Sequence, residues 1–340
     1  KESMSAGRSI NLALSDRGLR ALEAVGIADE VRAISIPMPG RLIHTGMQTG
    51  FQPYGREGQA ILSVSRGELN KKLMDLAERH GITILFNRKC SEVNWDSMEL
   101  VFDDAFADRE EVQQADIVFG ADGAFAATRL QHMLQHDHFD YHQYYIDCGY
   151  KELSIPAGRD GSFQLEKNAL HIWPRRDFML IALPNTDGSF TGTLFFPFHG
   201  KLSFENLKTE DDVKNFFNEQ FPDVVPMIPD LTTQYFNNPV SSLVTVKCFP
   251  WAREGKFCLI GDAAHAIVPF FGQGMNCGFE DCFVLNELMD QYGDDWHALF
   301  NAFQNQRKPD TDAIADLAIA NFVEMRAKTA DAGFLLQKKI

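Results

Sequence analysis

The densest concentration of residues that could do chemistry is the stretch Gly261-Asp-Ala-Ala-His-Ala-Ile-Val-Pro-Phe-Phe-Gly-Gln-Gly-Met-Asn276. It follows the apolar run Phe257-Cys-Leu-Ile260, which reads as a strand. Gly261, without a Cβ, lets a ligand come close to the backbone at the end of that strand. Asp262 then lies at the carboxyl end of the strand, where doubly wound sheets bind their ligands. Its carboxylate could accept hydrogen bonds from sugar or ribityl hydroxyls. Gly272 and Gly274 precede a helix expected to run to about Gln291, whose free N–H groups and positive end would point into the same crevice. As a dinucleotide fingerprint Gly272-x-Gly274-x-x-x-Gly278 fails, because the spacing is wrong and no strand precedes it closely.

The elements around this stretch read as an interrupted α/β chain. Ser65 to His80 is expected to be a helix, with Ser65 and Glu68 spaced as a capping box and Leu69, Leu73 and Leu76 on one face. Gly81 stops it, and Ile82-Thr-Ile-Leu-Phe86 reads as a buried strand. Val93 to Phe102 reads as a hairpin over Asp96-Ser97, and Ile117-Val-Phe119 as a strand entering the turn Gly120-Ala-Asp-Gly123. From about Tyr145 to Val246 strand-like runs dominate: Leu170 to Trp173, Phe178 to Leu183 and Phe190 to Phe196, with a turn at Asn185 to Gly188 and one helix near Glu210 to Glu219. The α/β pattern returns at Lys256, and helices fill the rest. The expected fold is therefore α/β: a Rossmann-like domain interrupted by a mostly antiparallel β-sheet domain, with C-terminal helices.

Composition narrows the function classes. The 340 residues carry 45% hydrophobic and 23% charged side chains, ordinary for a globular protein. A net charge of −15 argues against a nucleic-acid or anionic-membrane partner. Phe, at 28 residues, is in excess and could line an aromatic pocket as well as a core. The six cysteines form no Cys-x-x-Cys pair, which argues against a zinc or thioredoxin-type site. No apolar run reaches the roughly 18 residues of a membrane span. His132, His136, His138 and His142 cluster locally, and the first two share a helical face, but a polar helix and loop explains them without a metal.

The Gly261–Asn276 stretch resembles the second FAD motif of the flavoprotein aromatic hydroxylases. Gly120-Ala-Asp-Gly123 with Arg129 is similar to that family's Asp-Gly motif, associated with both FAD and NADPH. Arg8-Ser-Ile-Asn-Leu-Ala13, Leu170-His-Ile-Trp-Pro174 and Asn321-x-x-Glu-Met325 resemble the branch that hydroxylates kynurenine. The resemblance runs from Arg8 to about Lys339. The family opens with a strand, a Gly-x-Gly-x-x-Gly turn and a helix, and it continues with pocket-closing helices; neither segment is in this sequence. The implied organisation places the FAD-binding domain at 1–40, 61–144 and 247–300, the substrate-binding sheet at 41–60 and 145–246, and C-terminal helices at 301–340.

The resemblance implies an FAD-dependent monooxygenase that uses NADPH and O2 to convert L-kynurenine to 3-hydroxykynurenine through a flavin C4a-hydroperoxide. For FAD it implies Ala13, Arg66, Asp262, Met275 and Asn276, with Cys90 and Ala127 as backbone contacts and Asp122 holding the turn. The anionic reduced isoalloxazine would be stabilised at the helix N-terminus after Gly272. For substrate it implies Arg41 as carboxylate partner, since a planar fork suits that task, with Tyr54 and Asn321 beside it. The ring would sit among Ile181, Leu183, Phe195, Pro269, Phe270 and Phe271, with Gln273 in reach. Read without the resemblance, Arg41, Tyr54 and Asn321 are better taken as a surface ion pair, a core tyrosine and a helix-face asparagine, and the apolar set reads as plain core; Arg66 is equally a solvated first-turn arginine and Asp122 a turn residue capping the strand. His265 has no catalytic role in this scheme. Other implied readings are a hydroxylase of another aromatic acid or a non-catalytic flavin-binding protein. The expected location is the cytoplasm, or the mitochondrial outer membrane for a eukaryotic source.

Overall fold

The computed structural model describes residues 11–46, 48–104 and 109–327. Arg8, Ser9 and Ile10 of the N-terminal motif lie outside the described residues. Seven strands form the largest sheet: β14 (Val240–Phe249), β10 (Asp140–Ile155), β13 (Phe190–Pro197), β12 (Phe178–Pro184), β11 (Ala169–Arg175), β3 (Gly40–Thr45) and β4 (Gln48–Pro53), side by side in that order. Every pairing is antiparallel except β3 with β11, which run parallel with Arg41 opposite Leu170 and Ile43 opposite Ile172.

Alternation along these strands sends successive side chains to opposite faces. Phe178, Leu180 and Ala182 of β12 join Trp173, Phe190 and Phe196 under α5 (Glu210–Gln220) and α6 (Leu231–Asn237). Met179 and Ile181 point the other way, into a cluster with Ile43, Ile172, Phe195, Phe270, Ala318 and Phe322. Thr209 and Asp212 complete a capping box on α5, satisfying donors that the first turn leaves free.

A smaller sheet orders β1 (Asn11–Leu14), β5 (Ile61–Ser65) and β2 (Ser35–Met38), all antiparallel. Leu14, Leu19, Leu22, Val31, Val64 and Leu69 pack it against α1 (Asp16–Ala24), α2 (Ala28–Arg32) and α3 (Arg66–Arg79). Ser65 caps α3 by accepting from the Glu68 N–H at 3.5 Å, while the reciprocal half of the expected box does not form. A third sheet holds β15 (Ala252–Arg253), β16 (Phe257–Leu259) and β9 (Val118–Gly120); β16 and β9 run parallel, the remnant among the described residues of the expected Rossmann-like sheet. The fourth, β6 (Arg88–Asn94), β7 (Glu99–Asp104) and β8 (Glu110–Gln114), contains the expected hairpin.

The segment Ile82–Phe86 corrects the sequence reading. It forms no strand, and Ile82, Leu85 and Phe86 are all exposed. Apolar composition gave it strand character, but a strand needs a partner for its N–H and C=O groups, and none of the described strands runs beside it.

The remaining helices are α4 (Ala127–Leu134), α7 (Asp262–His265), α8 (Gly274–Tyr292) and α9 (Trp296–Ala327). Helix α9 serves two cores: Leu299, Phe300 and Phe303 pack on Phe257 and Leu259, and Ala318 and Phe322 pack on Ile172, Phe195 and Phe270. Among the described residues no helix is long and apolar enough to cross a membrane.

Candidate functional site: a crevice between two turns and a helix N-terminus

The parallel strands β9 and β16 end together, and the Ile260 N–H donates to the Gly120 carbonyl at 3.0 Å. Their carboxyl ends therefore place the turns Gly120–Gly123 and Gly261–Asp262 side by side. Gly261 adopts φ 57° and ψ −143°, a conformation that L side chains rarely reach. Arg129 clasps the two turns: it donates to the Ala263 and Ala124 carbonyls, both at 2.6 Å, and its buried guanidinium lies 5.0 Å from the centre of the Tyr141 ring.

The N-terminus of α8 faces the same space. It has no side-chain cap, so the first N–H groups at Gly274, Met275 and Asn276 stay available to an anion. A Cβ on Gly274 would come within 3.9 Å of Asp262 Oδ1, which fixes how closely the carboxylate stands to that helix end. Asp262 is exposed, yet burial of its carboxyl in the crevice raises its pKa, against the pull of His265 and Arg66. Arg66 and Asp262 are thus brought within electrostatic reach from opposite ends of the sequence.

Other expected FAD residues take more structural roles. Asn276 is fully buried and spends its amide inside the chain: it donates to the Ala13 and Gly272 carbonyls at 2.8 and 2.7 Å and accepts from the Ser15 N–H at 2.9 Å. Any contact it makes with a cofactor goes through its backbone. Asp122 accepts from the Thr128 N–H and hydroxyl at 2.9 and 2.6 Å, so it caps α4 rather than the strand. Ala127 opens that helix. Cys90 lies on β6, close enough to Asp122 and Asp103 that burial and those charges push its thiol up to about 11.

On the sheet face beyond, Arg41 donates from Nε to Gln52 Oε1 at 3.0 Å, which holds the guanidinium across the β3–β4 pair. Tyr54 is 40% exposed, but its hydroxyl is sheltered: burial pushes its pKa up to about 12, with Arg41 pulling the other way. Phe195, Ile181 and Phe270 meet in one cluster; Phe270 stacks on Phe322 at 4.1 Å and tilts against Phe195 at 5.0 Å. Leu183 is buried outside that cluster, opposite Thr191. Pro269 and Phe271 are exposed at the rim, where Gln273 donates to the Phe271 carbonyl at 3.4 Å. Asn321 donates to the Phe270 carbonyl at 2.5 Å, anchoring the Pro269–Phe271 turn to α9.

Several participants escaped sequence reasoning. Gln52, Phe322 and Gly18 carry no motif, and only the fold brings them in. A Cβ on Gly18 would sit 2.5 Å from Asn276 Oδ1, so α1 needs glycine there to approach α8. His132 is buried among Trp95, Phe139 and Phe257, with the His136 ring at 5.4 Å, and the described residues contain no group of three or more His, Cys, Asp or Glu side chains placed to hold a metal ion. The open surface clefts lined by Lys72, Asp75, Glu78 and Arg79, and by His136 to Asp140 with Phe249 and Pro250, share no residue with the crevice.

An uncapped helix end, a carboxylate at a strand terminus and two glycine turns fit the ribityl and pyrophosphate portions of a flavin nucleotide. The FAD binding domain family model matches residues 6–318, and the chain belongs to that family. It is a flavin monooxygenase: kynurenine 3-monooxygenase of Flavobacterium johnsoniae is 53% identical over 98% of this chain and 75% of its own length. The Dictyostelium discoideum and Sus scrofa proteins of the same name are 46% and 42% identical, each over 98% of this chain and over 75% and 70% of their own. Among solved structures, a tetrameric 2-methyl-3-hydroxypyridine-5-carboxylic acid oxygenase has a TM-score of 0.77 at 21% identity over 97% of this chain and 85% of its own. Klebsiella pneumoniae HpxO, complexed with FAD and uric acid, has a TM-score of 0.77 at 16% identity over 98% and 85%. These structures share the fold.

Proposed function

We propose that this chain hydroxylates L-kynurenine to 3-hydroxykynurenine, with NADPH as reductant and O2 as oxygen source. The reading is carried by one juxtaposition, a half-buried guanidinium next to a sheltered hydroxyl on the sheet face that bears an aromatic wall, in a chain whose curated relatives share that substrate in their name.

When bound, FAD supplies the electron and oxygen transfer. The chain's residues bind, orient and exclude water. Asp262 would accept from ribityl hydroxyls, and the α8 N-terminus, through the backbone of Met275 and Asn276, would offer N–H groups and a positive dipole end to negative charge on the flavin ring. Arg66 would reach the pyrophosphate, Ala13 would lie against the nucleotide, and Cys90 and Ala127 would contact it through backbone. Arg41 pairs its fork with the substrate carboxylate, with Tyr54 donating alongside. Asn321 and Gln273 hold the turn that presents Pro269, Phe270 and Phe271. With Ile181, Leu183 and Phe195 that turn makes an apolar wall, which keeps water from the site of oxygen transfer. Residues 41–60 and 145–246 thereby act as the substrate-binding unit, and 1–40, 61–144 and 247–300 as the flavin-binding one.

The test is Arg41→Ala. Removing a charge-assisted, two-pronged contact costs about 1.5–3 kcal/mol, so the KM for kynurenine should rise roughly 10–100-fold with little change in kcat. An unchanged KM, or NADPH oxidation stimulated by a different aromatic acid and not by kynurenine, rejects this substrate.

A further inference from the structure

Below the flavin-facing turn lies a buried ionic cluster that the proposed chemistry does not use. Asp281, two turns into α8, is fully buried. Its Oδ2 accepts from the Gly261 N–H at 2.8 Å and from His265 Nε2 at 2.6 Å. Its Oδ1 accepts from Arg307 Nε of α9 at 2.8 Å. Arg307, 2% exposed, also donates to Glu280 Oε2 at 2.6 Å and to the Cys277 carbonyl at 3.3 Å, and Arg17 of α1 reaches Glu280 at 3.4 Å. Three segments, the Gly261–His265 turn, α8 and α9, therefore converge on one carboxylate.

We propose that Asp281 is the positioning residue of the flavin turn: by holding the Gly261 N–H and His265 together, and being held by Arg307, it fixes where the Asp262 carboxylate stands against the α8 N-terminus. Gly261 occupies a backbone region that glycine reaches freely and leaves freely, so something must select it. The amide of Gly261 and the ring of His265 bracket Asp262 on either side, and both end on the same Asp281 oxygen. A buried carboxylate persists only when paired, and burial, which opposes its charge, is outweighed by His265 and Arg307, so Asp281 stays ionised and able to accept. The same charges act on Asp262, which His265 favours and Asp281 opposes in its ionised form. His265 Nδ1, also buried, has no hydrogen-bond partner among the described residues, so Asp281 alone orients that ring by hydrogen bonding.

This inference rests on the FAD reading. The experiment compares the unsubstituted chain with Asp281→Asn and with Lys151→Met. Lys151 is also buried and donates to the Tyr235 and Asn238 carbonyls on the far side of the large sheet, so its loss weakens the fold without touching the turn. FAD affinity is read by quenching of flavin fluorescence at a temperature where circular dichroism shows all three folded. By analogy with the outer partners that orient metal ligands, Asp281→Asn should weaken FAD binding about 10–100-fold, with Lys151→Met unchanged. Amide exchange gives an independent readout: the Gly261 N–H should lose protection in Asp281→Asn while Cys258 keeps it. Equal affinity in folded Asp281→Asn, equal weakening in both variants, or an unchanged Gly261 amide overturns the proposal. If the unsubstituted chain itself fails to quench FAD, the cofactor reading fails and this one with it.

Discussion

Burial in the crevice disfavours the charged form of the Asp262 carboxyl, an effect that His265 and Arg66 only partly offset. A carboxylate kept there at some cost suits a partner that supplies hydroxyl donors. Asp262→Ala should weaken FAD binding by about 1.5–3 kcal/mol, the worth of hydrogen bonds to a charged group, read by fluorescence titration. The buried histidines give a second expectation. Burial, helped by His171, pushes His44 down to about 4, and burial, helped by His136, does the same to His132. Both are neutral in the folded state at pH 7, while the unfolded chain binds their protons near the ordinary value of about 6.5. The unfolded state therefore gains protons first as pH falls. Their contribution is complete above about pH 6.5 and is lost progressively down to about 4, by an order of 2–3 kcal/mol each. Melting temperature should drop across that window, and His132→Phe should shallow the drop; a slope unchanged in His132→Phe would falsify its assignment to that ring.

At the scale of elements, α8 is the hub. Its first turn receives Asn276's bonds to β1 and to the Gly272 carbonyl, and its flank receives α1 through Gly18. Gly18→Ala would put a methyl 2.5 Å from the Asn276 amide and 2.6 Å from Leu14. Overpacking of this kind costs about 1–3 kcal/mol. Because the displaced amide is the one that pins Ala13 and the Gly272 turn, FAD affinity should fall along with melting temperature. Thr209→Ala offers the contrast: it breaks the α5 capping box on the opposite face of the large sheet, so it should cost about 1 kcal/mol in chemical denaturation and leave FAD affinity as it was. If both variants moved flavin binding equally, α8 would not be the element that matters.

At the scale of the molecule, α9 joins the two cores: Arg307 donates to Asp281 on α8, and Asn321 donates to the Phe270 carbonyl in the Pro269–Phe271 turn. The surface also carries apolar side chains without cover among the described residues: Phe125 at 71%, Leu134 at 67% and Ile82 at 58% exposure. Exposed apolar side chains and the edge strand β9 both favour association. Light scattering should rise with concentration in the unsubstituted chain, and Ile82→Lys with Phe125→Lys should suppress that rise without lowering the melting temperature.

Local chemistry was readable in advance where it depends on neighbours in sequence. The Gly261-Asp262 turn after an apolar strand, the glycine-led helix that starts at Gly274 and the alternating strands of the large sheet all rest on short-range rules of backbone conformation and side-chain period. Ile82–Phe86 marks the limit of those rules, since apolar composition cannot say whether a pairing edge lies alongside. What only the tertiary structure decided are the long-range assignments: that Asn276 is consumed by Ala13 and Gly272, that Asp122 caps α4, that Asn321 grips Phe270, and that Asp281, His265 and Arg307 share one buried carboxylate. Each is a hydrogen bond whose partner is chosen by packing, and a buried polar group takes whichever partner the fold brings to it.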